Sequence, residues 1–258
     1  MAACTAHPRP GLAHGVLHGW NEVVGGHVKA AETTLVPSDG LMGVEVDSFA
    51  GDVVILADRD ATTATIDAVK RGTHGYSRRA ESEDSLEQIS VEYGVEERGP
   101  SKFIVVRAST SAPEPWHQRV DLTVTVPRLG TAVVRTARGH VYVTDFAEGV
   151  DIETNEGDVR AVSNHVLTQP STILDAEGSI DWRAPPGSTA KVEAEAVNGV
   201  VRVKAREGKW LGLDARNDHD SMYGSINGGA NLLVLRTVGG NIRVFVGPNP
   251  SHTGSFLD

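Results

Sequence analysis

Apolar residues fall on alternate positions over most of this chain. The clearest run is Val120, Leu122, Val124 and Val126, with polar residues between them and Pro127 at its end. A strand with one buried face has this period of two. The same alternation predicts strands around Val44–Val46, Val53–Ile55, Ala64–Ala68, Ile89–Val95 and Phe103–Arg107. It then recurs through Val133–Val134, Val141–Val143, Val150–Ile152, Val159–Ala161, Ile173–Leu174, Ile180–Trp182 and Val192–Ala194. The last strands are predicted at Val201–Val203, Leu211–Leu213, Ile226, Leu232–Leu235 and Ile242–Val246. One stretch, Glu81–Gln88, suits a turn or two of helix, although it lacks a wide apolar face. Arg98-Gly99-Pro100 reads as a turn, and Ser109–Pro115 as a loop between two halves.

Many of these strands open on one phrase: a glycine, usually one small polar residue, then alternating aliphatics. It stands at Gly51-Asp52-Val53, Gly139-His140-Val141, Gly157-Asp158-Val159, Gly178-Ser179-Ile180, Gly199-Val200-Val201 and Gly240-Asn241-Ile242. Gly139, Gly149, Gly157, Gly178 and Gly199 follow at steps of 10, 8, 21 and 21 residues. Steps of 8 to 10 fit one strand plus a turn, and 21 fits two such units. A sandwich also repeats strands at such intervals. The glycine before each strand, and the lack of long cross-connections, favour coils. The expected fold is therefore all-β, a single-stranded β-solenoid of the β-helix or β-roll kind, right-handed by strand twist, with capping segments. The longer gaps around Pro170 and His219 are expected to be loops bulging from the coil.

The expected organisation is a flexible leader over 1–20, broken by Pro8, Pro10, Gly11, Gly15 and Gly19, then a solenoid domain over 21–247. Its part 21–115 is less regular than 116–247, and 248–258 is a tail. The less regular part and the tail are expected to cover the ends.

Composition sharpens this picture. Of 258 residues 40% are hydrophobic but only 5% aromatic, which suits a narrow interior of Val, Ile, Leu and Ala. Glycine is abundant at 28, as expected where many turns need φ > 0. The net charge of −10 and the lack of a Lys/Arg run argue against a nucleic-acid partner. Cys4 is the single cysteine, so neither an internal disulfide nor a cysteine-rich metal site is possible. Met1-Ala2-Ala3-Cys4 resembles the end of a bacterial lipoprotein signal without its apolar stretch, which makes Cys4 a candidate for lipidation.

The run Val120–Pro127, the segment Thr131–Thr136, the phrases at Gly157 and Gly199, and Phe49–Ile55 together resemble the bacterial "putative adhesin" family of β-strand-repeat proteins, a domain of unknown function. The resemblance covers about residues 35–247. It implies a β-helical or β-roll body in the cell envelope, often behind a signal or lipid anchor, and it carries over no catalytic residue.

Candidate chemistry is sparse. Asp214–Asp220 is the densest group of oxygen ligands, but it lacks the order of an EF-hand or of a calcium β-roll, and it reads as a solvated loop. His7, His14, His18 and His27 have no ordered metal spacing. Asp151, Glu153, Asp158, Asp181 and Glu193 face outward, and paired carboxylates serve glycoside hydrolysis; alternating charge on a wet strand face is the default for such strands and accounts for them better. Trp182 sits at the inward period, whereas Trp210 is a candidate ligand contact. No cofactor and no metal is expected. The expected role is non-enzymatic: a structural or adhesive envelope or extracellular protein that presents a rigid repeat surface to an envelope protein or a glycan, touching membrane only through a lipid anchor. Two alternatives stand beside it, a polysaccharide-active enzyme on a β-helix and a regulatory envelope module.

Overall fold

The computed structural model describes residues 27–38, 40–74, 78–212 and 214–251. The leader 1–20, with Cys4, Trp20 and three of the four early histidines, lies outside them, as does most of the tail. The strands are β1 (His27–Val36), β2 (Met42–Ser48), β3 (Val53–Ala57) and β4 (Ala64–Thr73), followed by helix α1 (Arg79–Glu87). Then come β5 (Ile89–Arg98), β6 (Ser101–Thr110), β7 (Gln118–Val126), β8 (Leu129–Arg138), β9 (Val141–Thr144), β10 (Val150–Glu156) and β11 (Val159–Val162). The chain continues through β12 (Ser171–Glu177), β13 (Ile180–Ala184), β14 (Ala190–Ala196), β15 (Val201–Ala205) and β16 (Trp210–Leu211). It finishes with β17 (Ser221–Ile226), β18 (Leu232–Thr237) and β19 (Ile242–Val246).

The protein is all-β and solenoid-like. A 9-stranded sheet runs β1-β4-β7-β3-β9-β11-β13-β19-β15, and a 10-stranded sheet runs β16-β17-β14-β18-β12-β10-β8-β2-β6-β5; neither closes into a barrel. We call them the first and second sheets. Each coil puts one strand in the second sheet and the next in the first; six of them turn at the glycine phrase, and β6–β7 turns through residues 111–117. The coils β2–β3, β8–β9, β10–β11, β12–β13 and β18–β19 pair in parallel with their neighbours in both sheets.

The coils are not stacked in chain order, which corrects the simple expectation that each coil lies on the one before it. Coil β6–β7 lies outside coil β2–β3, so the two-residue link Pro127-Arg128 steps back over the first coil to start β8. At the far end, coil β14–β15 leaves a gap that the last coil, β18–β19, fills. Pairing between near-identical strands is almost equally good in either order. A gap of two strand spacings is only about 10 Å, which a short link crosses. The strand pattern therefore does not encode the order.

Between the sheets the inward positions form one core, with Val44, Ile55, Leu122, Val134, Ile152, Ile173, Ile180, Val192, Leu235 and Val244 all buried. Each such side chain contributes roughly 1.5–3 kcal/mol by leaving water. Trp182 belongs to this core at 2% exposure.

Antiparallel strands flank the parallel coils. β4 pairs with β7 and β1 with β4 in the first sheet, while β5 pairs with β6 in the second. At the opposite end β17 pairs with β14 and β16 with β17. Edge strand β5 carries Glu92, Glu96, Glu97 and Arg98, charges that discourage further strand pairing. The helix α1 confirms the expectation of a short turn of helix and shows why its apolar face is narrow. It buries the small Ser82 and Ser85 rather than large aliphatics. A Cβ at Gly72 of β4 would lie 2.6 Å from the Ser82 carbonyl oxygen, so helix and strand meet backbone to backbone.

Candidate functional site

The glycine phrases all lie at one corner, where the chain passes from the second sheet to the first. In spatial order Gly199, Gly240, Gly178, Gly157, Gly139 and Gly51 form a ladder, and a Cβ on any of them would sit 1.8–2.4 Å from a carbonyl oxygen of the adjacent coil. Only Gly51, Gly139 and Gly157 have positive φ. Close approach of neighbouring backbones is thus the common requirement, and conformational freedom an addition at three of them.

The polar residue after five of these glycines has a task that the sequence left unread: its side chain accepts the backbone N–H of the next coil. His140 N–H donates to Asp52 Oδ1 (3.0 Å), Asp158 N–H to His140 Nδ1 (3.0 Å) and Ser179 N–H to Asp158 Oδ1 (2.8 Å). Asn241 N–H donates to Ser179 Oγ (3.2 Å), and Val200 N–H to Asn241 Oδ1 (3.0 Å). Because Nδ1 of His140 accepts, the proton of its neutral ring is on Nε2.

Inside the same corner runs a second ladder that sequence reading missed. The last inward positions of the second sheet, in register, are Ala108, Ser48, Thr136, Thr154, Asp175, Thr237 and Ala196. Thr237 donates to the Gly178 carbonyl at 2.8 Å. Asp175 is 6% exposed, and neither of its oxygens, nor the Thr154 hydroxyl, has a well-formed hydrogen-bond partner among the described residues. Burial pushes the Asp175 carboxyl up from 3.8 to about 6, with nearby backbone N–H groups of Glu177 and Ala176 offsetting this only in part. The inward period at position 175 was the available signal.

The outward carboxylates do not converge. Asp151, Glu153 and Glu193 stand on strands of the second sheet, whereas Asp158 and Asp181 belong to the first-sheet side. Each has a structural tie. Arg135 braces Asp151 (2.7 Å) and Glu153 (3.4 Å), Arg183 binds Asp181 (2.7 Å), and Lys191 faces Glu193 (3.3 Å).

Trp210 is half-buried and packs against the core at the end of the stack. Its ring lies over Gly224, where a Cβ would come within 2.6 Å of it. Beside it is a shallow hollow of about 380 Å³ lined by Lys191, Glu193, Leu211, Asp214, Arg216 and Tyr223. The Arg216 guanidinium covers the Tyr223 ring at 3.8 Å, and the Tyr223 hydroxyl donates to Glu195, so that aromatic face is occupied. Its hydrogen bond to Arg216 holds the Asp214 carboxyl down at about 2. Asp218, His219 and Asp220 bring ligand atoms within 4.8 Å of one another, all at the surface, but Asp218 Oδ1 already accepts from the His219 backbone at 2.6 Å. Among the described residues the exposed tryptophan is Trp116, at 65%.

A larger open groove of about 680 Å³ crosses the second sheet near the glycine corner, between Phe49, Ser109 and Asn155. One in-register row spans it: Glu92, Arg107, Asp47, Arg135 and Glu153, one residue from each of five adjacent strands, alternating in charge. Arg138, the last residue of β8, donates to the Trp116 carbonyl at 3.3 Å and ties the exposed tryptophan to this end of the sheet.

Residues 118–244, which contain most of the stacked coils, match the family model described as Toastrack DUF4097. This segment is a Toastrack DUF4097 domain. No curated protein matches the chain. Among solved structures, a "putative cell adhesion protein" from Clostridium sporogenes ATCC 15579 is similar in fold, with a TM-score of 0.59 at 10% identity over 85% of this chain and 100% of that one. A "putative adhesin" from Bacteroides fragilis NCTC 9343 matches with a TM-score of 0.33 at 13% identity, over 83% of this chain and 97% of that one. The Toastrack match begins at β7, yet coil β2–β3 lies inside the stack, between coils β6–β7 and β8–β9.

Proposed function

We propose that this chain is a non-enzymatic surface module, in the envelope or outside the cell, that presents its second sheet to a glycan or protein partner. The observation that carries this reading is the charged, in-register row across the open groove, with Trp116 exposed nearby. A flat sheet with fixed spacing of charges gives selectivity through electrostatic and hydrogen-bond complementarity, and an exposed indole adds a stacking face. The name of the Clostridium sporogenes protein that shares the fold, a "putative cell adhesion protein", agrees with it. So do the ties on the outward carboxylates: Arg135 of β8 engages Asp151 and Glu153 of β10, and Arg183 and Lys191 engage Asp181 and Glu193 on their own strands. The reading takes the coil as right-handed, the favoured hand for parallel connections. It takes Cys4 as a lipid-anchored residue where a signal precedes it; membrane fractionation unchanged by Cys4→Ser removes that part.

The test is a broad glycan array probed with the full chain, Arg135→Ala and Trp116→Ala. Selective, saturable binding that both substitutions weaken supports the groove as the contact surface. Binding indifferent to both removes the assignment to this sheet. A blank array turns the search to protein partners.

A further inference from the structure

The opposite corner, where the chain returns from the first sheet to the second, holds a half-enclosed pocket of about 530 Å³. It exists because of the out-of-order stacking. Pro127 and Arg128 cross over the first coil, and the return loops after β9 and β11 bring Asp145 and His165 beside them. Leu129 forms a buried floor (1% exposed), and Leu41, beside it, remains 39% exposed. The walls are pinned by backbone bonds: Met42 N–H to Arg128 O (3.0 Å), Ala147 N–H to Leu129 O (2.9 Å) and Asp145 N–H to Val162 O (2.8 Å).

The charges of this pocket differ from those elsewhere. Arg71, Arg98, Arg135, Arg183 and Arg216 are each held by a carboxylate. Arg128 has no carboxylate within ion-pair distance among the described residues, and the side-chain contact of Arg59 is with an imidazole, Nη2 to His165 Nε2 at 3.4 Å. Guanidinium only donates, so His165 Nε2 is the acceptor in this contact. The one carboxylate of the lining, Asp145, is engaged, its Oδ1 accepting from both the backbone and the side-chain amide of Asn164. In a chain of net charge −10, two guanidinium groups without an ion pair among the described residues face one partly apolar hollow.

We infer that this pocket binds a carboxylate carried on a short aliphatic body. Guanidinium groups match a planar carboxylate through paired charge-assisted hydrogen bonds, and Leu41, Leu129 and Pro127 supply the apolar contact. The volume falls in the range of small-molecule sites. Asp145 at the wall and the acidic chain disfavour a dianionic phosphate. The inference is independent of the contact surface proposed above, since the groove lies at the other corner.

The experiment is an NMR titration of the full chain with hexanoate, following the methyl groups of Leu41 and Leu129 and the His165 ring, beside parallel titrations with inorganic phosphate and 1-hexanol. The expected result is saturable hexanoate binding that weakens about tenfold or more in Arg128→Gln and in Arg59→Gln. Both residues are exposed, and an unchanged thermal midpoint shows that the variants are folded. Phosphate and hexanol are expected to bind more weakly than hexanoate. The inference is overturned if hexanoate does not saturate, if hexanol or phosphate binds as tightly, or if folded variants keep the parent affinity.

Discussion

The two corners of the coil are built on opposite principles. At the glycine corner every coil except β6–β7 turns on a glycine, backbones approach so closely that a methyl group does not fit, and the polar side chains beside five of these glycines cap the next coil. At the return corner the links range from Pro127-Arg128 to the loop between β11 and β12 and the long excursion through β16 and β17. One corner sets the spacing of the stack through its glycine ladder. The other has only to bring the chain back, so it is free to vary in length and to collect side chains around a pocket. In a repeat architecture, regularity marks where stability resides and irregularity marks where specificity can be added.

The sharpest way to break this comparison is Gly157→Ala. Its Cβ would stand 2.4 Å from the Gly139 carbonyl oxygen at φ +122°, and we expect a loss of about 3 kcal/mol or more in urea unfolding. Gly99→Ala, at φ +63° in the β5–β6 turn with nothing within 4 Å, is expected to lose only about 1 kcal/mol. Equal losses would mean that conformation, not close approach, sets the requirement.

The next effect is a gain. With its folded carboxyl raised to about 6, Asp175 holds a proton more tightly in the fold than in the unfolded chain. Its contribution is best below the ordinary value of 3.8, declines as pH rises from about 4 to 6, and stays unfavourable above. Asp175→Asn should therefore stabilise the protein by on the order of 2 kcal/mol at pH 7, with the gain fading towards pH 4. A variant equally or less stable at pH 7 would show that the carboxylate is satisfied in the interior.

Smaller still, Asp158→Ala removes the acceptor for Ser179 N–H and is expected to lose about 1 kcal/mol, seen also as faster amide exchange at Ser179. At the return corner, exposed Thr168→Ala should change the unfolding free energy by less than about 0.5 kcal/mol. A loss there as large as at Asp158 would erase the distinction between the corners.

Most strands were legible because a half-buried strand must alternate, and Val120–Val126 does so without exception. The candidate surface was less so. Trp210 stood out by residue type, but its ring packs over Gly224; Trp116, at the end of the loop between the two halves, is the exposed indole among the described residues. Asp175 lay in plain view at an inward position, but its cost depends on Thr154 and Thr237 from strands far along the chain. Arg59, Arg128 and His165 share no motif, because a pocket made by three links has no sequence period.

By itself the sequence determined the local rules: which residues form strands, which side of each faces inward, and where glycine lets coils touch. These depend on dihedral preference and burial, which a residue carries wherever it is placed. Only the tertiary structure decided the order of the coils, and with it the position of the last coil inside the stack and the pocket under Arg128. Near-equivalent strands pair almost equally well with several neighbours, so the choice rests on link lengths and end contacts summed over the whole molecule.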